Sequence, residues 1–494
     1  MSLLGAISSA RSGIIATQSA IDVASRNIAN ASADGYTRKI QETSTRVIDG
    51  RTGAVRLEEV TRNVNNQLLR DVRDQTSVVE ELTVIEDFLA RFELQFGRPE
   101  DSSSIASKIT ELKATFQAMS TSPDLAIAQQ DVLRAAEEVA LTLNNLSSAI
   151  QNLRQEADSR VNDSVTTINE ALQNIEALNA DIGARKTVGE STADLEDQRD
   201  ELILDLAKQM NITTLERPDG KLAVLVSGTS NFLIDQTAST LSFTTTGVVA
   251  ADTALSNVQI DNGFLAPFSI TTDITSGELG GLLQLRDTIL PLAQDQIDSL
   301  AFELAQQFDE IAISPNFGAN IELFVNGAGN VPTGAGSDQG FSAQIQVNAL
   351  VTATPTILRD GGVTPASTAV TAAGGAYTVT GVSDATVPLA ILDMFETKQA
   401  FVAVNGLNST SATLEEFAAD FIGYQANRKA DFESQFSFQD QIRGLLSERL
   451  KDESGVNIDE ELASLIQLES AFAASARVLS SVQGALDDLL GAVR

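Results

Sequence analysis

The chain has 494 residues, with 33 Lys and Arg against 67 Asp and Glu and a formal net charge of -34. This length predicts more than one core, and the negative charge disfavours nucleic acid and anionic membrane surfaces as partners. The absence of Cys, His and Trp excludes thiol nucleophiles, imidazole bases, disulfides, the Ser-His-Asp triad and zinc sites of the usual kind. We therefore expect no catalytic residues, no metal site and no cofactor.

The first 30 residues predict an amphipathic helix. Its apolar residues recur at spacings of four and three, as in a coiled-coil seam. The members of this row include Leu3, Ile7, Ala10, Ile14, Ile21 and Ile28. The helix ends in a polar turn that contains Asn27, Asn30, Gly35 and Tyr36. Asn and Gly suit a helix end and left-handed backbone, and a role in contacts between subunits is left open.

Two long stretches without Gly or Pro, 54–96 and 124–182, predict long helices. In the second stretch the apolar row runs from Val139 to Ile182 and shifts near Ala157. These stretches indicate a bundle of long helices.

Two later segments are rich in Thr, Val, Gly and Asn and predict β-rich modules, while 279–313 predicts another helix. A capping-box pattern at Thr413 and Glu416 opens a helix that continues to Lys451. The predicted organisation is 1–50 for the first helix and turn, 51–210 for the long-helix bundle, 211–276 for a β-rich module, 277–313 for a bundle helix, 314–392 for an outer β-rich module, 393–453 for bundle helices and 454–494 for the last helix. The predicted fold is α+β and mainly α: a long antiparallel helical bundle with coiled-coil-like terminal helices and inserted β-rich modules.

The last helix is apolar over more than one face. One row contains Leu462, Leu465, Phe472, Ala476, Leu479 and Leu486. A second row beside it includes Leu468 and Val482. Because one partner helix covers one row, this helix needs several neighbours, either in a large core of its own chain or in a multichain assembly.

Motifs at both ends and in the middle carry a resemblance to a known family. Residues 24–38 (ASRNIANASADGYTR) resemble the signature near the N-terminus of flagellar rod, hook and hook-associated proteins, and 454–477 are similar to the family's closing segment. The internal segments 194–200 (DLEDQRD) and 277–283 (GELGGLL) narrow the resemblance to the hook-associated members. Arg26 stands where the family usually has Asn, and Ala33 and the residue after it occupy a turn that often holds Pro.

The resemblance implies a structural subunit of the bacterial flagellum that joins the hook to the filament. It implies export through the flagellar type III system without a cleaved signal peptide, and an extracellular location at the hook-filament junction. The terminal residues named above would then form the assembly interface. The expected partners are further copies in a ring or short helical layer, the hook protein, a second hook-associated junction protein, the filament and an export chaperone, with no nucleic acid and no membrane insertion.

Charged residues leave alternatives open. Acidic side chains at Asp194, Glu196, Asp197, Asp200 and Glu201 fit a solvated helix start, because acids favour that end of the helix dipole. The same acids could also form a divalent cation site. A secreted carboxylate-dependent cell-wall glycan hydrolase would need two such carboxylates in a cleft and is one alternative function; another rod or hook component is the other.

Arginines near the N-terminus and acids near the C-terminus are either ordinary surface charges or pairs between neighbouring subunits. The residues concerned are Arg11, Arg26, Arg38, Arg46, Asp452, Glu453, Asp459, Glu460 and Glu461.

Overall fold

The structure is a computed structural model that describes residues 3–33, 35–48, 51–98, 101–309, 312–313, 321–333, 338–361, 368–372, 375–401, 406–407 and 411–492. The helices are α1 (Leu3–Asn30), α2 (Asn66–Phe96), α3 (Ile105–Thr121), α4 (Ala126–Val188), α5 (Ala193–Gln209), α6 (Gly277–Gln284), α7 (Leu290–Asp309), α8 (Ala349–Ala353), α9 (Ile357–Asp360), α10 (Thr386–Glu396), α11 (Leu414–Ser454) and α12 (Ile458–Ala492). The strands are β1 (Lys39–Ile48), β2 (Arg51–Arg62), β3 (Ile212–Glu216), β4 (Leu222–Val226), β5 (Phe232–Ile234), β6 (Thr240–Ser242), β7 (Gln259–Asp261), β8 (Phe268–Ser269), β9 (Ala312–Ile313), β10 (Phe324–Val325), β11 (Gln346–Val347), β12 (Thr368–Ala372) and β13 (Gly375–Val379).

Helix α4 is the central element of the bundle. Its 63 residues form one continuous helix, and the row predicted from Val139 to Ile182 is buried along its length, Ala157 included. The helix ends where Gly189 adopts a left-handed conformation that a glycine takes without steric cost. α2, α3, α5 and α7 pack around it. The predicted long-helix bundle is therefore confirmed.

Close backbone approach places α6 against α2 and the end of α5. A Cβ atom at Gly281 would lie 2.7 Å from the carbonyl oxygen of Glu81, and one at Gly277 would lie 2.4 Å from the backbone nitrogen of Met210. A π-helical turn over Leu285–Ile289 joins α6 to α7 just before Pro291, whose ring cannot follow a regular helical turn. The helix predicted over 279–313 is thus interrupted by this turn and ends at Asp309, with β9 following.

The β-rich modules form small antiparallel sheets. In the first module the strand orders are β3-β4-β5 and β6-β7-β8. In the second, β10 pairs with β11, and β13-β12-β9 form a sheet. The second module also contains α8 to α10, and residues 314–320, 334–337, 362–367 and 373–374 of its predicted range lie outside the described residues. The mainly α fold with β insertions is confirmed.

A β-hairpin that the sequence reasoning missed lies between α1 and α2. β1 pairs with β2 from Lys39 opposite Arg62 to Ile48 opposite Arg51. The helix predicted from Ala54 is wrong as far as Arg62, since this part is strand β2 and α2 begins only at Asn66. The pairing also crosses the predicted boundary at residue 50; the domain division as a whole stays a prediction.

The terminal unit, which we define as α1, β1, β2 and α12, packs on itself. α1 contacts α12 along one side and the hairpin along the other. On the hairpin side, Ser12 Oγ accepts a hydrogen bond from the Val55 backbone (3.1 Å) and Ser19 Oγ donates to Gln41 (2.8 Å). On the other side, Gly13 approaches Ser475 of α12. The hairpin thus covers a face of α1 that periodicity alone would leave to other helices.

Candidate functional site

The turn after α1 is organised by a buried amide. Asn27 is only 1% exposed. Its Nδ2 donates to the carbonyl oxygen of Lys39 (2.9 Å), and its Oδ1 accepts from the Lys39 backbone nitrogen (3.0 Å) and from the Tyr36 hydroxyl (3.0 Å). Gly35 supplies a φ of 73° between them. Asn27 therefore fixes the reversal of the chain from α1 into β1, while the Asn30 side-chain amide donates to the Arg26 carbonyl oxygen (3.0 Å).

The residues after this turn bind to helix α5. The Thr37 backbone nitrogen and hydroxyl donate to the carboxylate of Asp197 at 3.1 and 2.6 Å. The Lys39 ammonium forms an ion pair with the same carboxylate, and both side chains are almost completely buried. Asp197 is thus the acceptor that attaches the turn to the bundle.

Arg62, at the end of β2, adds a second cation. It contacts Glu196, Asp197 and Asp200, each at 2.9 Å. Burial alone would lower the pKa of Arg62, but Asp200, Asp197 and Glu196 outweigh it and raise the pKa above its ordinary value. Arg62 therefore stays fully charged.

Arg73 of α2 completes the cluster through a 2.8 Å contact with Asp200. We call Thr37, Lys39, Arg62, Arg73, Glu196, Asp197 and Asp200 the joint, because they connect the terminal unit to the bundle. Glu196, Asp197 and Asp200 occupy positions i, i+1 and i+4 of α5, so their carboxylates lie on one side of this helix.

A second set of contacts ties the turn to the start of α12. Arg38 forms a 2.6 Å ion pair with Glu461, whose side chain is 4% exposed. The Arg38 backbone nitrogen donates to the carbonyl oxygen of Ser454 (2.9 Å). Asn65, the N-cap of α2, donates to the Glu453 carboxylate (2.7 Å). The two ends of the chain therefore meet beside the joint.

These contacts correct two interpretations of charged residues. A solvated helix start describes Asp194, but it is wrong for Asp197 and Asp200, whose side chains are 9% and 14% exposed and ion-paired. For Arg38 and Glu461, neither ordinary surface charges nor pairs between subunits describes the structure, because they pair within one chain.

The predicted assembly residues divide between contacts inside the terminal unit and exposed surface. Ala10 and Asn27 are buried, Phe472 and Leu462 are exposed, and the remaining ones with described side chains in α1 and α12 are half-buried. The half-buried residues are Ile7, Ile14, Ile21, Ile28, Asn30, Leu465, Ala476, Leu479 and Leu486. In the turn, Gly35 is exposed and Tyr36 half-buried; Leu3 begins α1, but its side chain lies outside the described residues. Their role in assembly stays a prediction.

The sequence reasoning did not find Thr37, Lys39, Arg62 or Arg73. The available signal was the Asp49-Gly50 pair between two runs of alternating β-branched residues, which is a hairpin pattern. Recognising it would have paired the two runs and placed Lys39 and Arg62 near the same end of one strand pair. Two register shifts in the hairpin, which the pattern does not show, bring Lys39 directly opposite Arg62.

The joint consists of ion pairs and hydrogen bonds between largely buried side chains. Its carboxylates accept from cations and hydroxyls. Among the described residues, no group of three or more acidic side chains is placed to hold a metal ion. The arrangement supports attachment between two parts of the molecule.

Comparisons with known families match three segments of the chain. The family described as flagellar hook-associated protein FlgK helical domain matches residues 89–314. Residues 7–37 match flagella basal body rod protein, and 452–492 match flagellar basal body rod FlgEFG protein C-terminal. The joint lies where these segments meet, since Thr37 ends the first rod match and Asp197 lies in the helical domain.

Individual proteins match over more of the chain. Flagellar hook-associated protein 1 of Escherichia coli (strain K12) is 22% identical and covers 98% of this chain and 99% of its own length. Flagellar hook-associated protein 1 of Bacillus subtilis (strain 168) is 23% identical, with 98% and 97% covered. The structure of the flagellar hook junction protein FlgK from Burkholderia pseudomallei has a similar fold (TM-score 0.61, 14% identity, 77% of this chain and 99% of that chain covered). The chain is thus similar over nearly its whole length to proteins named flagellar hook-associated protein 1, with a match to that helical domain in its middle and matches to rod-type segments toward both ends.

Proposed function

We propose that this chain is a non-enzymatic structural subunit of the bacterial flagellum that lies between the hook and the filament. The observation that carries the proposal is the match of nearly the full length to two proteins named flagellar hook-associated protein 1. The fold supports a structural role, because the acids at 196, 197 and 200 form ion pairs that attach the terminal unit to the bundle. The glycan hydrolase alternative gains no support from these carboxylates, since each is held by Arg62.

Self-association through α12 is the second part of the proposal. Much of the helix surface away from α1 is apolar and exposed: Leu462 is 45%, Ile466 63% and Val478 50% exposed. An 18-residue window in the helical stretch Leu414–Asp488 is apolar enough to cross a membrane by length and composition, with none of it buried. We assign this surface to neighbouring copies in a ring or short helical layer, because α12 packs as a helix against α1 and its remaining apolar surface suits the same kind of packing against helices of other copies.

The further partners are those expected for such a position. We propose contacts to the hook protein on one side and to a second hook-associated protein and the filament on the other. We also propose delivery by an export chaperone and the flagellar type III system without a cleaved signal, to an extracellular location. The exposed apolar side chains of α12 would then be covered only after assembly.

Immunogold labelling of isolated flagella tests the position. We expect gold particles in one band between hook and filament. Labelling along the rod, or along the entire hook, would instead support the alternative of another axial component. Labelling confined to the cell wall would support the hydrolase.

A pair of variants tests the assembly surface. Ile466→Asp places a charge on the exposed apolar surface, and Gln467→Asp adds the same charge at the next exposed position as a control. We expect Ile466→Asp to be secreted but not retained at the hook tip, with the melting temperature of the monomer unchanged, and Gln467→Asp to assemble. Normal retention of the Ile466→Asp protein would contradict assembly through this surface.

A further inference from the structure

A polar cleft of about 340 Å³ lies beside the joint. It is bounded by β2 of the terminal unit and, on the bundle side, by the start of α2, the end of α4, α5 and the β3-β4 hairpin. Five cationic side chains line it: Arg62, Arg70, Arg73, Lys186 and Arg199. This concentration is unusual in a chain with a net charge of -34.

The charges in the cleft do not all cancel. Arg62 and Arg73 are paired with acids of α5. In the part of the chain that the structure describes, Arg70, Lys186 and Arg199 form no ion pair, and the remaining acids of the lining are Glu59 and Glu216. Three cations therefore face two carboxylates, which leaves the cleft attractive to an anion.

The deepest cations have unused donors. Arg199 is 3% exposed and donates to the Asn179 side chain (3.1 Å) and the carbonyl oxygen of Gly220 (2.8 Å). Arg73 is 5% exposed. The Nε atom of each guanidinium is buried and has no hydrogen-bond partner among the described residues. Burial lowers the pKa of both arginines below the ordinary value. The neighbouring carboxylates therefore only partly offset the cost of burying each positive charge.

We propose that this cleft binds a small inorganic oxyanion of the phosphate or sulfate class. Guanidinium groups match the oxygen geometry of such anions, and Lys186 adds a point charge at the mouth, where its side chain is exposed. The described lining contains no aromatic side chain on which a nucleotide base could stack. Because the cleft is walled by both β2 and the bundle, the bound anion holds the terminal unit in place from a second side.

Titration of the full-length protein with inorganic phosphate tests the proposal, by calorimetry and by thermal unfolding in chloride buffer of constant ionic strength. Millimolar phosphate avoids the general stabilising effect that concentrated phosphate and sulfate have on proteins. We expect saturable heat, a saturable rise in melting temperature, and competition by sulfate. Acetate at the same concentration should not compete.

Two neighbouring residues provide the variant and its control. Lys186 and Arg185 are both basic residues of the last turn of α4, but only Lys186 lines the cleft. We expect Lys186→Gln to weaken phosphate binding about tenfold, the effect of one lost charged contact, and Arg185→Gln to bind as the unaltered chain does. Absence of binding heat, or equal weakening in both variants, would overturn the site.

Discussion

Asp197→Asn is the sharpest test of the joint. The substitution keeps the size of the side chain and an oxygen that can accept from Thr37, but it removes the negative charge that faces Lys39 and Arg62. Arg62 keeps Glu196 and Asp200 as partners. Lys39 loses the buried acid that pairs with it, so the cost is concentrated on one ammonium group.

The burial of the pair sets the magnitude. The side chains of Lys39 and Asp197 are 5% and 9% exposed, and removing one partner of a buried pair typically costs about 3–5 kcal/mol. Asp194 lies 3.6 Å from the Lys39 ammonium but is 67% exposed, so it compensates little. We expect the docking of the terminal unit to weaken by about 3 kcal/mol.

Hydrogen exchange by mass spectrometry measures this loss locally. We expect faster exchange in β1 and β2 of the Asp197→Asn protein, while the buried amides of α4 keep their protection, because the bundle core does not depend on the joint. The matched control is Asp194→Asn, which removes the same charge three residues away and should cost less than about 1 kcal/mol. If the two variants exchange alike in the hairpin, the joint does not hold the terminal unit and this account of the site is wrong.

Three further substitutions, one of them with a control variant, test packing and buried charge in the bundle. Burial raises the pKa of Glu81 to about 7, so its ionised form is disfavoured in the folded state. Glu81→Gln should therefore raise the free energy of unfolding near pH 8 by up to about 3 kcal/mol, a gain that shrinks below pH 7 and vanishes below the ordinary pKa of 4.5, as urea titrations at several pH values would show. Gly281→Ala should cost about 1–3 kcal/mol in the same assay because its Cβ would meet the α2 backbone, whereas Gly423→Ala, with nothing within 4 Å, should not destabilise. Asp298 accepts from the backbone nitrogens of Gly340 (2.7 Å) and Ser342 (3.0 Å), so Asp298→Ala should cost about 3 kcal/mol and speed proteolysis near residue 340.

The sequence predicted α4 and α11 correctly because residues within each helix determine its structure. The capping box at Thr413 and Glu416 is present with both of its hydrogen bonds and opens α11, which continues to Ser454. The apolar row of α4 is buried because its spacing keeps one face toward the core for all 63 residues. In these cases propensity, capping and periodicity agree, and no distant residue changes the outcome.

The hairpin and the joint depend on residues far apart in the chain. The run from Ala54 lacks Gly and Pro, yet residues up to Arg62 are strand because they pair with β1. Thr37 and Asp197 are separated by 160 positions, and nothing in either segment alone shows the other as its partner. The acids of α5 fit the helix dipole by local rules, but the structure shows that Glu196, Asp197 and Asp200 all contact Arg62 of the terminal unit.

The joint gives a physical meaning to the motifs that carried the family resemblance. The turn at residues 24–38 and the acidic segment at 194–200 looked like two separate signatures, one at a helix end and one at a helix start. In the structure they are the two sides of one contact, in which Asn27 fixes the turn and Thr37 and Lys39 reach Asp197. Ion pairs and hydrogen bonds depend on direction more than apolar contacts do. We infer that the joint sets the orientation of the terminal unit on the bundle, while the apolar surface of α12 supplies the area for association with other subunits. A subunit that presents one helical face to several neighbours needs both, because the area gives affinity and the orientation determines which neighbours that face can reach.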